Sequence, residues 1–327
     1  MGLVMNLGST ISVYLAISKV GITYLIPMHR YYLLLSLYFI SLIIHAQNPK
    51  QSPYIIPYTT WDTEELNWDI AGNESGKFPN LLSELKWKDL SGPKLGIISG
   101  IPITPKLQLK LELSYKTIIS GKVNDSDYAG DNKAVKTAEF NLQADKGHSI
   151  KTSLELSYLL LSHQDFTLNI HAGYLGYYKT LYMLDSDTPL NKDKELNSTY
   201  KPRYHGIIYG LQTSYTIHRW QATLDISGIH IPSYSANANW NLREELQHPI
   251  SFTHKSKASG YNLDLHLGYH ITQNLQPFIT ANYTQLDATK GTDKLYKING
   301  QTHTTQLNRV HTNNFHIGMG VKIFLSF

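Results

Sequence analysis

The chain contains no cysteine. Neither a disulfide framework nor a cysteine-ligated zinc site is therefore open to it, and no thiol can serve as a nucleophile. Charged residues make up only 17% of its 327 residues, and the 29 basic and 25 acidic side chains are dispersed with no block of one sign. That dispersal removes the basic arm that nucleic-acid binding calls for, so nucleic acid is not an expected partner. Long apolar runs are scarce as well: beyond residue 47 no stretch approaches the roughly 20 apolar residues that a membrane-spanning helix needs. Internal repeats that would indicate a propeller or a solenoid are not evident.

An N-terminal targeting signal is present. The segment "MHRYYLLLSLYFISLIIHAQ" supplies a basic start at Met28, an apolar stretch of 12 residues from Leu33 to Ile44, and a small residue, Ala46, before Gln47. This is the pattern of a secretory signal peptide over residues 28–46, cut after Ala46, and it is too short for a bilayer anchor. Residues 1–46 are read as the targeting region, with Met28 as the expected start of translation. Residues 47–327 remain as a single domain.

Strand-like alternation runs through that domain. In "LQLKLELSY" the residues Leu107, Leu109, Leu111, Leu113 and Tyr115 fall on one face, and Gln108, Lys110, Glu112 and Ser114 on the other. The last segment repeats the pattern from Phe315 to Phe327, and similar runs appear in "SLELSYLLL", "FTLNIHAGYLGYY", "IIYGLQTSYTI", "WQATLDISGI", "YNLDLHLGYHI" and "QPFITANYTQL". A soluble sandwich also alternates, so the connections decide between the two. Short turns are expected at 103–106, 162–165, 217–220 and 271–274, and long polar connections at about 72–82, 121–150, 180–200, 230–255 and 286–310. Long and short alternate strictly, which implies an all-β fold: a ten-stranded antiparallel transmembrane β-barrel of the outer membrane, with long loops facing outside. The 23 tyrosines suit aromatic girdles at the two interfaces, and the chain ends on an aromatic residue, Phe327.

One loop-like segment carries a candidate chemistry. In "GKVNDSDYAGDN" the carboxylates Asp125 and Asp127 stand two residues apart. Three readings are open. They can belong to a solvated turn, since Asn, Asp and Gly concentrate in turns. They can belong to a calcium loop, but counting from Asp125 the fifth position is Ala129 and the twelfth is Lys136, which fails the ligand spacing. They can also lie on one face of a continuing strand, where two close carboxylates share protons unevenly and can activate a water. No metal site is expected.

Several blocks resemble the omptins, ten-stranded outer-membrane endoproteases of Gram-negative bacteria. They occur in order from Ser83 to Phe327: "SELKWKDL", "VNDSDY", "IHAGYLGYY", "YKPRYHGIIYGLQTSY", "SGIHIPS", "GYHITQNLQPFITANY", "KGTDKLY" and the terminal strand. The resemblance implies cleavage of polypeptides near basic residues, by a water held between an aspartate pair and an opposing Asp/His dyad. Asp125 and Asp127 match the pair. The dyad does not carry over, because the chain places Ala236 and Ala238 there, or Asn237 and Asn239 with a one-residue shift. A realignment of "EELQHP" offers Glu244 and Glu245 as acids and His248 as the base, while His230 and His254 are expected to be solvated loop or wall residues.

The resemblance also implies lipopolysaccharide as an activating lipid on the barrel wall. Tyr174 and Arg203 match family positions and Lys255 and Lys257 lie near another, whereas Gly176 and Tyr178 depart from the pattern. No other cofactor is expected. Two functions follow: an omptin-type endopeptidase with an altered dyad, or a non-catalytic surface barrel that binds a host surface protein through its loops.

Overall fold

The computed structural model describes residues 52–325; the targeting region, the signal peptide expected at 28–46 and the terminal Phe327 lie outside the described residues. Thirteen strand segments follow in order: β1 (Tyr54–Ile70), β2 (Ser83–Pro102), β3 (Leu107–Ile118), β4 (Ser120–Tyr128), β5 (Lys136–Gln143), β6 (Gly147–His163), β7 (Phe166–Leu184), β8 (Asn197–Ile217), β9 (Trp220–Asn239), β10 (Phe252–Tyr269), β11 (Leu275–Ala288), β12 (Gly291–Tyr296) and β13 (Thr302–Phe324). Their pairings are antiparallel, and β1 pairs with both β2 and β13, so the sheet closes into a ring. The pairs β3/β4, β5/β6 and β11/β12 are each one pass through the wall with a short break, giving the ten passes expected. β3, β6 and β11 belong to the lower ring, and β4, β5 and β12 take their places in the upper one.

The alternation resolves as the sequence suggests, with the apolar face outward. Leu95, Ile97, Leu113, Ile279, Ile317 and Met319 are exposed, whereas Lys94, Gln108, Ser114, Glu155 and Asn169 are buried inside. A sandwich packs its apolar faces together. Here they surround the molecule, as a barrel wall in lipid requires. The band runs through Trp61 on β1, Leu111 on β3, Tyr209 on β8 and Leu265 on β10. Below it the turns are short.

Above the band the strands continue further than the sequence implies. The connections expected at 121–150, 230–255 and 286–310 are largely strand, with irregular backbone confined to 129–135, 240–251 and 297–301 and short breaks between paired segments. The reason is solvent: outside the membrane a wall strand faces water on its outer side, so apolar alternation fades although backbone pairing persists.

Two layers of side chains fill the lumen from its middle upward. An ionic layer lies level with the top of the band: Asp62 binds Lys94 at 2.8 Å and Lys116 at 3.4 Å, and Glu64 binds Lys179 and, at 3.7 Å, Lys116. Lys116 also donates to the Leu90 carbonyl at 2.9 Å, and Asn314 donates to Asp62. An aromatic layer sits above it, where Trp87 stacks on Tyr200 with centroids 5.5 Å apart, Trp68 meets Phe252 at 5.8 Å, and Tyr204 meets Tyr234 at 4.9 Å. Each such buried ring contributes area burial plus about 0.5–1.5 kcal/mol of ring contact.

Candidate functional site

Asp125 and Asp127 lie on β4, not in a turn. On the register with β2, Val123 faces Trp87, Asp125 faces Leu85 and Asp127 faces Ser83. Val123, Trp87 and Leu85 are buried in the interior. Residues two apart on a strand share a face, so both carboxylates point inward at the rim, above the aromatic layer. Among the described residues neither carboxylate forms a hydrogen bond or an ion pair. Burial first, and then the charge of Asp127, push the Asp125 carboxyl up to about 7, while Arg243 in the 240–251 connection pulls it partly back. A pair of this kind holds a proton near neutral pH.

The opposing wall is closely packed. Ala236 and Ala238 are buried on β9, and their partners on β10 are His254 and Phe252. His254 corrects the reading of a solvated loop or wall residue: it is fully buried. Its Nδ1 lies 2.9 Å from the Tyr200 hydroxyl, and its Nε2 lies 3.2 Å from Asp293 Oδ1, off the line of a well-aligned hydrogen bond. Asp293, on β12, also accepts from Thr305 at 3.0 Å. The alternation of "FTHK" turns Phe252 and His254 inward and Thr253 and Lys255 outward, which is the signal that could have located this histidine. Asp293 lies within the block "KGTDKLY" on β12, which β2, β1 and β13 separate from β4 around the ring. His230 is exposed on the outer wall, as expected.

Among the described residues His248 forms no hydrogen bond or ion pair with either aspartate. It is exposed in the 240–251 connection, and its Nδ1 lies 2.7 Å from Asn239 Oδ1. Glu244 and Glu245 are exposed in the same connection, with Glu245 held by Arg243 at 2.5 Å. Next to the aspartates, β5 pairs along its length with β4 but meets β7 only through Gln143 and Leu184, so among the described residues the edge from Lys136 to Leu142 has no strand partner at the mouth.

On the outer wall Tyr178, Arg203, Ser235 and Lys255 follow one another across β7, β8, β9 and β10 in a single register row. Arg203, Lys255 and Lys257 are exposed just above the apolar band. Tyr174 lies four residues below Tyr178 on the same face, its hydroxyl 2.7 Å from His205 Nδ1. The structure thus gathers Tyr174, Arg203, Lys255 and Lys257 on neighbouring strands of one wall.

The sequence matches the family model described as Pom, Protochlamydia outer membrane protein, over residues 59–325. No curated protein matches it. Among solved structures, the outer membrane protease OmpT from Escherichia coli superposes with a TM-score of 0.66 at 17% identity, covering 83% of this chain and 97% of that one. The translocator domain of the autotransporter NalP from Neisseria meningitidis gives 0.41 at 10% identity, covering 91% and 97%. OprG from Pseudomonas aeruginosa gives 0.37 at 13% identity, covering 86% and 100%. At these identities the likeness concerns the fold alone.

Proposed function

Since the chain belongs to the Protochlamydia outer membrane protein family and is an outer-membrane β-barrel, we propose that it is a surface binding barrel whose mouth derives from a proteolytic groove. The observation that carries this reading is the wall facing the aspartates. Ala236, Ala238 and the packed rings of Trp68, Trp87 and Phe252 stand where an open groove and a general base are needed. A site that loses its base forfeits about two to four orders of magnitude in rate.

What remains suits binding. Two carboxylates without protein partners border a free strand edge, and an unpaired edge accepts an extended polypeptide by strand addition. A basic side chain of that polypeptide would meet Asp125 and Asp127. The row formed by Arg203 and Lys255, with Tyr174 below it, fits anionic lipid headgroups such as those of lipopolysaccharide at the outer leaflet.

A second reading keeps the endopeptidase. It is favoured by the proton-sharing aspartate pair, with Asp125 pushed up to about 7 by burial and by Asp127. Refolded protein with added lipopolysaccharide, incubated with peptides containing paired basic residues, separates the two. The binding barrel retains such peptides without cleaving them and releases them in the Asp125→Ala, Asp127→Ala double variant. Cleavage that disappears in the double variant would establish the enzyme instead.

A further inference from the structure

Below the ionic layer the lumen widens into a polar chamber of about 790 Å³ on the side of the short turns, with Ser52 and Gln273 among its lining residues. Its four acids are all engaged. Glu112 binds Lys151 at 3.0 Å and the Tyr58 hydroxyl at 2.7 Å, and Asp264 binds His266 at 3.0 Å and Thr280 at 3.0 Å. Glu155 and Asp225 share His171, with Nδ1 at 2.8 Å from the first and Nε2 at 3.1 Å from the second, the latter bent. Ser153 and Ser227 donate to the same two carboxylates.

Two of the chamber's three lysines form no ion pair among the described residues. Among the described residues neither Lys110 nor Lys322 has a carboxylate within the 4.0 Å of an ion pair, whereas Lys151 does. The Lys322 ammonium lies 4.1 Å from the ring centre of Tyr54 and 4.8 Å from that of Phe324. Lys110 lies on the other flank of Tyr54, because Lys110, Gly100 and Tyr54 occupy one register row across β3, β2 and β1, while Lys322 is on β13. Gly100 makes this possible: a Cβ there would fall 2.3 Å from the Tyr54 ring, so only glycine lets the ring lie against the wall.

We propose that this chamber binds a small oxyanion, inorganic phosphate or a phosphate monoester, between Lys110 and Lys322 with the Tyr54 hydroxyl as a neutral donor. An anion held between the two ammonium groups gains charge-assisted hydrogen bonds from both. Glu155 and Asp225, whose field reaches Lys110, are tethered to His171 and to serines and do not close on the lysines. The chamber volume lies within the range of small-ligand sites. The aromatic and ionic layers separate it from the outer mouth, and the strand wall separates it from lipid. The ligand is therefore a soluble periplasmic one, distinct from anything bound on the outer wall.

The test is calorimetric titration of inorganic phosphate into the refolded full chain in an uncharged maltoside detergent, against chloride at equal ionic strength. Saturable binding is expected, weakened about tenfold or more by Lys110→Gln or Lys322→Gln, and lost in the double variant. Lys322→Arg, which keeps the charge, retains binding, and so does Arg203→Gln with Lys255→Gln on the outer wall. Should the double variant fail to fold, Tyr54→Phe and Lys322→Gln, measured by phosphate-dependent gain in Tm, make the same distinction. Absence of saturable binding by the folded chain overturns the site. So does binding that persists undiminished in the folded lysine variants.

Discussion

The indole of Trp68 packs edge-on against the imidazole of His254, with ring centroids 5.0 Å apart and planes at 83°. Trp68 is also the register partner of Leu85, which is the partner of Asp125. One tryptophan thus touches the buried histidine and shares a register row with Asp125.

Truncation of this ring is therefore expected to cost stability. Trp68→Ala removes a buried side chain from the contact with His254, Tyr200 and Phe252, and a loss of about 3–5 kcal/mol is expected. Urea unfolding in detergent micelles, followed by tryptophan fluorescence, measures it.

Asp125 predicts a pH dependence of definite sign. Burial and Asp127 raise its folded-state pKa from 3.8 to about 7, so the folded state holds the proton more tightly than the unfolded one. The stabilisation is fully present below the unfolded value near 4 and is lost as pH rises through about 7. Wild type should therefore lose stability relative to Asp125→Asn across that window. Asp127→Asn should move the carboxyl titration downward, as read by carbon-13 NMR of labelled aspartate; an unmoved titration would remove Asp127 as a cause.

The ionic layer predicts an asymmetric response. Asp62→Ala leaves Lys94 and the fully buried Lys116 short of counter-charge, and a loss of about 3–5 kcal/mol is expected. Pairing Asp62→Asn with Lys94→Met removes charge of both signs and should recover part of that loss. Thermal unfolding of the single and paired variants decides it.

Asp293 is a structural partner of His254 and not a surface acid. Asp293→Ala leaves a buried imidazole nitrogen and the Thr305 hydroxyl without their acceptor, at a cost of about 1–3 kcal/mol. A change below about 0.5 kcal/mol, the range of ordinary surface substitutions, would contradict this placement.

The outer-wall row predicts a lipid effect without a stability effect. Arg203→Ser with Lys255→Ser removes two exposed cations, changing stability by no more than about 0.5 kcal/mol. Lipopolysaccharide retained after detergent exchange should fall several-fold. Retention equal to wild type would place any lipid contact elsewhere.

Much of the wall was legible in the sequence, because a strand in lipid writes its two faces as a period of two. Leu107 to Tyr115 and Phe315 to Met319 turned outward as their spacing implies. The four short turns fell close to where polar residues break that period. The upper strands β4, β5 and β12 were not legible, since water outside removes the apolar code while hydrogen bonding continues. The two aspartates were located by spacing and resemblance together, and their shared inward face followed once β4 was known to continue as strand.

Residue type and spacing alone thus determined the all-β class, the apolar belt and the placement of Asp125 with Asp127 on one side of the chain. What faces those aspartates was decided only in three dimensions. His254 and Asp293 are 39 positions apart in the chain but are register partners on β10 and β12, while Lys110 and Lys322, further apart still, come to one lumen wall only through the pairing of β1 with β13. A period of two assigns a side chain to the lumen but not the strand opposite it. Contacts across the lumen depend on closure and register, and these emerge only when the first and last strands meet.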